Sequence, residues 1–244
     1  MLGGLTDAHC HLGESPGPLP PPGVEACAAC ACFAGEWGRL DGILNAGVKK
    51  VYGLHPFAGI PEPGGAEFPE GAFSALLPEL ERRLDSADAV GETGLDARII
   101  GRVPLEAQMA AFAAQLEMAK ERGLPVVIHC VGEWGALCGA LGRFFPSGPG
   151  AGLLIHAASC PAETAAFLEG LGAVFSFGTR ELSSRRGAAL AARAGADRIM
   201  IETDGECSAA RLESAAASLA SLRSASEAEI AAAAFENFRS FYSK

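Results

Sequence analysis

The sequence lacks the signatures of several large classes of protein and enzyme. No apolar run approaches the ~18 residues of a membrane-spanning helix, so no contact with a membrane is expected. There is no GxSxG motif, which presents a nucleophilic serine, and no GxxxxGKS/T loop, which cradles nucleotide phosphates. The GxGxxG motif of dinucleotide-binding domains is also absent. Nothing in the sequence therefore supports serine-hydrolase, P-loop or dinucleotide-dependent chemistry.

Basic residues are in short supply. The chain has 19 Lys and Arg against 29 Asp and Glu, a net charge of −10 with a sequence pI near 5.0. Such a field repels nucleic acid, so a nuclease of this composition would need bound cations and a few local arginines. Two groups of arginines follow predicted strands, and ordinary solvated surface charge explains them equally well. They are Arg98 and Arg102 after GETGLD, and Arg180, Arg185 and Arg186 after AVFSFG.

Paired cysteine motifs and a secretory leader are missing as well. Of eight cysteines, Cys27 and Cys30 form a single CxxC, and no second pair stands at zinc-finger spacing. In an extended strand Cys30 and Cys32 share a face, while Cys27 points the other way. We interpret the cysteines as small buried hydrophobic residues in a reducing compartment. The N-terminus shows no basic segment followed by an apolar stretch, so we expect no signal peptide and a cytoplasmic location.

What the sequence does contain is a regular alternation of apolar runs and amphipathic stretches. A length of 244 residues with 49% hydrophobic residues suits one (β/α)8 barrel, so we predict a single domain over residues 1–244. The apolar runs are short and mostly apolar on both faces, as parallel strands covered by helices are. Eight strands are predicted, at residues 5–9, 24–33, 50–54, 89–92, 125–129, 152–156, 173–177 and 198–203.

Amphipathic segments between these runs indicate the helices. The clearest spans Leu105–Arg122 and ends at Gly123. Residues 13–23 and 61–71 hold no helical pattern, so we predict loops there and a TIM barrel abbreviated at its first helix. Further helices are predicted at residues 73–84, 134–145, 161–171 and 182–194, and a last one from a capping box of Ser226 and Glu229 to residue 240.

All five histidines fall inside short motifs, most of which begin with an apolar run. The motifs are TDAHCHL with His9 and His11, YGLHPF with His55, PVVIHC with His129, and LLIHAA with His156. Three carboxylates stand at similar places, Glu92 and Asp96 in AVGETGLDAR and Asp204 in IMIETDGE. A barrel of parallel strands presents the C-terminal ends of its strands on one face. We therefore expect these side chains to meet on that face.

Imidazole and carboxylate groups gathered in this way predict a metal site. Residues i and i+2 of a strand point to the same side, so Asp7, His9 and His11 can all project toward the barrel axis, with Asp7 supporting the imidazoles. Nitrogen and oxygen donors suit Zn²⁺, Mn²⁺ or Mg²⁺ without selecting among them. Six candidate ligands suffice for one cation, or for two if a carboxylate bridges. They are His9, His11, Glu92, His129, His156 and Asp204.

The ordered series of motifs resembles the TatD family of metal-dependent deoxyribonucleases. It consists of DAHCHL, GLHP, VGETGLD, a Q…F…QL helix leading into LPVVIHC, then IH, FSFG, ETD and a closing ENFRSF. The resemblance covers almost the whole chain. It implies a TIM barrel and hydrolysis of DNA phosphodiesters, often as a 3′ to 5′ exonuclease, with DNA ends or short single strands as partners.

The resemblance also implies roles for individual residues. His9, His11, Glu92 and Asp204 would hold one cation, and Glu92 would bridge to a second held by His129 and His156. Asp204, with Glu92 as the second catalytic carboxylate, would orient or deprotonate the attacking water. His55 would lie near the substrate phosphate rather than among the ligands, and Arg180, Arg185 and Arg186 are the candidate substrate-binding arginines.

Departures from the family pattern leave other functions open. ETD is followed by Gly-Glu-Cys instead of a small residue, Pro and an aromatic, and GLD is followed by Ala-Arg where Tyr or Phe is frequent. These changes bear on the substrate more than on hydrolysis. One alternative is an amidohydrolase-like enzyme acting on a small amide, ester or lactone, which the acidic surface favours. Another is a metal-binding scaffold with little turnover. The oligomeric state is left open.

Overall fold

The computed structural model describes residues 3–13, 17–60, 71–146, 148 and 150–243. Most of the predicted loop at 61–71 lies outside these residues, as do residues 14–16 of the predicted loop at 13–23. Residues 17–23 contain no helix, which agrees with the predicted abbreviation of the first crossover. Among the helices of the described ranges, none is long and apolar enough to cross a membrane.

Eight parallel strands form one sheet in the order β1 to β8, and the sheet curls into a nearly closed TIM barrel as predicted. The seam between β1 and β8 is joined just beyond β8. There the Asp204 N–H donates to the His9 carbonyl (3.1 Å) and the His11 N–H donates to the Gly205 carbonyl (2.8 Å). The strands are β1 (Thr6–His11), β2 (Ala26–Ala31), β3 (Val48–Tyr52), β4 (Ala89–Asp96), β5 (Val126–Val131), β6 (Leu153–Ile155), β7 (Val174–Phe177) and β8 (Ile199–Ile201).

The largest differences in length between the observed and the predicted strands are at β2 and β4. β2 is shorter than the predicted 24–33, and β4 continues past the predicted 89–92 to Asp96. Gly94 allows this extension because its φ is +147° and a Cβ there would lie 1.9 Å from the His129 carbonyl oxygen. Only a residue without a side chain lets β4 and β5 approach this closely. The close approach brings Asp96 to the same face as His129.

Helices follow most strands and cover the outside of the barrel. The helix predicted at Leu105–Arg122 is confirmed, and Gly123 ends it with φ +62°. The helix predicted at 182–194 is split at Ser184, whose hydroxyl accepts from the Gly187 N–H (3.0 Å) and so begins a new helix. The helices are α1 (Ala34–Asp41), α2 (Leu77–Arg83), α3 (Leu105–Arg122), α4 (Trp134–Phe144), α5 (Ala162–Gly170), α6 (Thr179–Ser183), α7 (Arg185–Arg193), α8 (Ala209–Arg223) and α9 (Glu227–Phe241).

The last helix closes one end of the barrel. The predicted capping box at Ser226 opens α9, and Phe238, Phe241 and Tyr242 pack against the small residues that fill the barrel interior. The Tyr242 hydroxyl donates to the carbonyl of Ala8 on β1 (3.0 Å). The Phe241 ring lies beside Gly152, just before β6, so this end is the one where strands begin. The opposite end, where strands finish, stays open for a site.

Two buried glutamines on α3 fix the ends of β3 and β4. The Gln115 amide accepts from the Leu54 N–H (2.8 Å) and donates to the Leu54 carbonyl (3.1 Å). Gln108 makes the same pair of bonds with the N–H and carbonyl of Asp96, at 2.8 and 3.2 Å. Each glutamine thus satisfies two buried backbone groups that have left the sheet. Because His55 follows Leu54, these bonds also position the site.

We expect Gln115→Leu to destabilise the protein. The apolar side chain leaves the Leu54 N–H and carbonyl buried without partners, at about 1–3 kcal/mol for each unsatisfied group. Urea denaturation should show the lower free energy of unfolding. The matched control is Glu117→Gln on the exposed face of the same helix, which should unfold like the wild type. Equal stability of Gln115→Leu and the control would contradict this account of the α3 contacts.

Candidate metal centre

The six predicted ligands lie together at the open end of the barrel. They come from the ends of β1, β4 and β5 and from the residues just after β6 and β8. A cleft of about 880 Å³ opens over them. His9 lies beneath its floor with no exposed surface, and the other five ligands line it. Tertiary structure therefore gathers residues that are up to 195 positions apart in the chain, from His9 to Asp204 (204 − 9).

Four of these side chains form a first cluster: His9, His11, Glu92 and Asp204. His9 Nε2 lies 3.2 Å from His11 Nε2, 3.3 Å from Glu92 Oε2 and 3.8 Å from Asp204 Oδ1. His11 Nε2 lies 3.7 Å from Glu92 Oε2 and 3.5 Å from Asp204 Oδ1. The two histidine nitrogens thus each lie within 4 Å of one oxygen of Glu92 and one oxygen of Asp204.

The spacing of the first cluster fits a divalent cation. Bonds from Zn²⁺ to nitrogen and oxygen of about 2.0–2.2 Å place tetrahedral donors about 3.3–3.6 Å from one another. The five measured separations run from 3.2 to 3.8 Å and straddle that range. Two imidazoles and two carboxylates are also a donor set that borderline and hard cations accept. The residues present therefore fit the metal that the donor set implies.

A second cluster surrounds the other oxygen of the same glutamate. Glu92 Oε1 lies 2.7 Å from His156 Nε2, 2.9 Å from His129 Nδ1 and 3.3 Å from His55 Nε2. His129 Nδ1 and His156 Nε2 are 3.2 Å apart. The Glu92 carboxylate consequently stands between two groups of imidazoles, with one oxygen in each. This is the geometry that a bridging carboxylate requires.

His55 is close enough to the second cluster to resemble a ligand, but its hydrogen bonding argues otherwise. The Phe57 N–H donates to His55 Nδ1 at 2.9 Å. A neutral imidazole that accepts at Nδ1 carries its proton on Nε2, so the nitrogen facing Glu92 is a donor and has no free lone pair. This observation agrees with the predicted place of His55 beside a substrate rather than on a cation.

Further carboxylates stand behind two of the histidines. Asp96 Oδ2 lies 3.0 Å from His129 Nε2 and is itself held by the Arg98 guanidinium, which leaves His129 Nδ1 to face the second cluster. Glu202 was not among the residues predicted for the site. It is buried after β8 and accepts hydrogen bonds from the Ser176 hydroxyl and from the Ala157 N–H. It faces His156 Nδ1 at 3.7 Å, beyond hydrogen-bond distance. Such carboxylates fix the orientation of metal-binding imidazoles.

Asp7 does not support the histidine rings, so that prediction is wrong. Its carboxylate accepts from the N–H groups of His9 (3.3 Å) and Thr203 (3.0 Å) and from the Thr203 hydroxyl (2.6 Å). An irregularity in the pairing of β1 with β2 between Asp7 and Cys10 breaks the simple alternation of side chains. Asp7 instead ties the backbone of β1 to the segment that carries Asp204.

Burial and neighbouring charge set the ionisation of the centre. Burial raises the pKa of Glu92, but the charges of His156, His55 and His9 outweigh it and hold that pKa well below its ordinary value. For His156, burial lowers the pKa, but the charges of Glu92 and Glu202 raise it by more. The pKa of His156 is therefore well above its ordinary value. A proton is therefore favoured on His156, and a cation that binds there would displace it.

Backbone strain is concentrated at the centre. Ala157 and Asp204 have φ values of +45° and +44°, a left-handed conformation that costs a non-glycine residue of order 1–3 kcal/mol. Each follows a strand and adjoins or supplies a ligand. The bond from the Ala157 N–H to Glu202 and that from the Asp204 N–H to His9 hold the two turns in place. Strain of this kind marks functional sites.

The predicted arginines divide into those at the cleft and those away from it. Arg98, Arg180 and Arg186 line the cleft, and Arg185 and Arg102 do not. Arg185 and Arg186 are adjacent on α7, where successive side chains point about 100° apart, so only one can face the cleft. Arg180 reaches Asp204 Oδ2 at 3.1 Å and Glu181 at 2.7 Å. Of the three candidate substrate-binding arginines, Arg180 and Arg186 therefore line the cleft and Arg185 does not.

The cleft also contains apolar and thiol groups that no motif indicated. Phe33, Phe57 and Trp134 are aromatic residues of its wall. Cys30 Sγ lies 3.1 Å from His9 Nδ1, and the Cys32 thiol donates to Glu92 Oε2 at 3.4 Å. The predicted shared face of Cys30 and Cys32 is confirmed, and it is the interior of the barrel. The aromatic residues could not be found from sequence because they lie in loops and at helix starts.

The fold and the site together define a class of protein, the TIM barrel with a cluster of histidines and carboxylates at its open end that could hold metal ions. Within that class, the chain belongs to the TatD-related DNase family, whose family model matches residues 6–243. This family is metal-dependent.

Individual relatives agree with the family. Human deoxyribonuclease TATDN3 is 29% identical over 141 residues, which cover 52% of this chain and 52% of that protein, so the match spans about half the length of the curated relative. Two solved structures share the fold over 99% of this chain. The first is the TatD homologue YJJV of Escherichia coli K12, with 22% identity, 98% of that chain covered and a TM-score of 0.77. The second is a TatD family hydrolase of Entamoeba histolytica, with 17% identity, 99% of that chain covered and a TM-score of 0.74. A third solved structure is an uncharacterised amidohydrolase of Saccharomyces cerevisiae. The match covers 89% of this chain and 88% of that chain, with 12% identity and a TM-score of 0.72.

We expect each histidine pair to control one cation. Replacing His129 and His156 together with Ala should remove one equivalent of bound Zn²⁺, and replacing His9 and His11 together should remove the other. Glu92→Gln should weaken both sites, because each carboxylate oxygen belongs to a different cluster. Isothermal titration of cation-free protein with Zn²⁺, with elemental analysis of the products, measures the stoichiometry. An unchanged stoichiometry in either double variant would count against two separate sites.

Proposed function

We propose that this protein is a divalent-cation-dependent phosphodiesterase that hydrolyses DNA from a 3′ end. The observation that carries the proposal is the buried Glu92 carboxylate with one oxygen in each of two imidazole clusters. Membership of the TatD-related DNase family and the similarity to a human deoxyribonuclease support DNA as the substrate class.

Two carboxylates would carry out the chemistry that the chain itself supplies. Divalent cations, when bound, lower the pKa of water and neutralise charge on the phosphoryl oxygens. Asp204 Oδ1 faces the first cluster, and Oδ2 faces Arg180 and the cleft. The oxygen on the cleft side would accept the proton of the attacking water as the bond from phosphorus to the leaving oxygen breaks. Glu92 would hold the two clusters at a fixed separation.

The wall of the cleft suits a nucleotide. Arg186 would contact phosphate oxygens, since a guanidinium pairs with phosphate through two parallel hydrogen bonds. His55 Nε2, the protonated nitrogen, would donate to the same group. Trp134 and Phe33 offer flat apolar faces on which a base could stack, an interaction worth about 1–3 kcal/mol per base.

Size and charge favour strand ends over long duplexes. A cleft of about 880 Å³ lies at the upper end of the range, about 300–1,000 Å³, that encloses a small molecule. A net charge of −10 opposes the approach of a long polyanion outside the cleft. We therefore propose that short single strands or ends are the preferred substrates.

We expect Asp204→Asn to lower kcat on single-stranded DNA by about 10²-fold or more, because it removes a ligand charge and the proton acceptor together. Steady-state hydrolysis with Mn²⁺ measures the loss, and circular dichroism checks the fold. Asp197→Asn, an exposed carboxylate beyond the cleft, is the matched control and should keep full activity. Comparable turnover by the two variants would remove Asp204 from this role.

The neighbouring arginines of α7 give a second, internally controlled experiment. Arg186→Gln should weaken binding of a short single-stranded oligonucleotide and reduce the salt slope of the binding constant by about 0.7, the value for one lost phosphate contact. Arg185→Gln removes the same charge from a residue outside the cleft, and its slope should match the wild type. Equal effects of both substitutions would point to general surface charge and against a phosphate contact at Arg186.

One observation favours the alternative function, hydrolysis of a small ester or amide. The acidic surface opposes the approach of a polyanionic substrate but not of a neutral one. The same cations would polarise a carbonyl oxygen. Hydrolysis of small carboxylic esters, amides and lactones without any hydrolysis of DNA by the Mn²⁺-loaded protein would favour it. If the cation-loaded protein hydrolyses neither class of substrate, the result would favour the other alternative, a metal-binding scaffold with little turnover.

A further inference from the structure

Three cysteines from distant parts of the chain meet on the outside of the barrel, at its seam. Cys10 lies on β1, Cys27 lies on β2, and Cys207 lies in the segment after β8. Their Sγ atoms all lie within 4.8 Å of one another. All three are free thiols. In the part of the chain that the structure describes, this is the one trio of thiols so closely spaced.

This cluster is separate from the histidine–carboxylate centre. Cys10 and Cys27 are fully buried in the apolar layer between the sheet and the helices, and Cys207 packs against the same layer. Cys30 and Cys32, by contrast, face the barrel interior with the histidines. The half-buried Cys207 gives the trio a route to solvent. The two sets of side chains therefore occupy opposite faces of β1 and β2.

One sulfur of the trio is favoured as a thiolate. The Cys10 and Cys207 thiols beside it lower the pKa of Cys27 to about 5, although burial opposes the shift. The Cys10 thiol also donates to the Ala28 carbonyl at 3.4 Å. A cation bound by all three sulfurs would therefore displace the protons of the other two thiols.

We propose that Cys10, Cys27 and Cys207 form a three-thiolate site for a thiophilic cation, Zn²⁺ or Cu⁺. A bond of about 2.3 Å from Zn²⁺ to sulfur requires sulfurs about 3.8 Å apart in a tetrahedron. The three sulfurs all lie within 4.8 Å of one another, so they need to close by about 1 Å at most. Binding sends the remaining thiol protons to solvent. Thiolates select soft cations, so Mg²⁺ and Mn²⁺ would not compete here.

The position of the trio gives such a cation a structural consequence. β1 and β8 are joined at the seam by backbone bonds beyond the end of β8, between His9 and Asp204 and between His11 and Gly205. A cation held by Cys10 and Cys207 would cross-link the same two segments. It would thus stabilise the seam from outside the barrel while the histidine–carboxylate centre occupies the inside.

Cadmium is the probe for this site, because its thiolate complexes have a charge-transfer absorption that imidazole and carboxylate complexes lack. Fully reduced protein, kept anaerobic and with excess Mn²⁺ present, is titrated with Cd²⁺ and then with Zn²⁺ or Cu⁺ as competitor. Cys207→Ser is the test variant, since its partly exposed position leaves folding intact, and Cys27→Ala is the second. Cys30→Ser is the matched control, a buried cysteine three residues from Cys27 on the same strand.

The wild type and Cys30→Ser should develop the thiolate band with one equivalent of Cd²⁺, and Cys207→Ser and Cys27→Ala should lose most of it. Displacement by Zn²⁺ or by Cu⁺ then tells which cation the site prefers. The cation should raise the Tm of the wild type more than that of Cys207→Ser. A band that survives both cluster substitutions, or disappears in Cys30→Ser, would overturn the proposal. So would a trio that binds no cation and forms a disulfide on exposure to peroxide.

Discussion

The Glu92 carboxylate is the contact on which the rest of the centre depends. It is 3% exposed, and its two oxygens face different groups of imidazoles, His9 with His11 and His129 with His156. An ionised carboxylate in such a place is tolerable only with positive charge close by. His11, His129 and His156, whose pKa values the nearby carboxylates raise, favour that charge as protons, and a cation in each cluster would supply it in their place. The same demand explains why the pKa of Glu92 is so far below its usual range although burial acts in the opposite direction.

The barrel meets this demand by its geometry. Parallel strands end on one face, so residues at strand ends converge without any local motif joining them. A second layer of carboxylates, Asp96 and Glu202, then faces the outer nitrogens of His129 and His156. The two glutamines of α3 hold the ends of β3 and β4 by their backbones. Left-handed turns at Ala157 and Asp204 complete the arrangement, and their strain is balanced by hydrogen bonds to Glu202 and His9.

The cleft contains basic side chains although the protein as a whole is acidic. The molecule is acidic as a whole, yet the cleft carries three arginines and a set of histidines around its carboxylates. Arg98 is committed to Asp96 and Arg180 to Asp204, so Arg186 is the one of the three for which no carboxylate partner is described. The proposed preference for strand ends therefore rests on Arg186 and on the limited volume of the cleft.

The sequence alone determined the barrel, its eight strands and the six candidate ligands, because apolar runs and the polar residues that end them are local patterns. Helix α3 and the capping box at Ser226 were likewise readable from neighbouring residues. The family pattern implied that Glu92 bridges the two clusters, and only the tertiary structure decided why His55 is a donor and that Arg186 faces the cleft while Arg185 does not. The tertiary structure also directs the Asp7 carboxylate to the backbone N–H of Thr203 and brings Cys10, Cys27 and Cys207 together. Those outcomes depend on strand register, a bulge and the rotation of a helix, and each is set by packing between segments far apart in the chain.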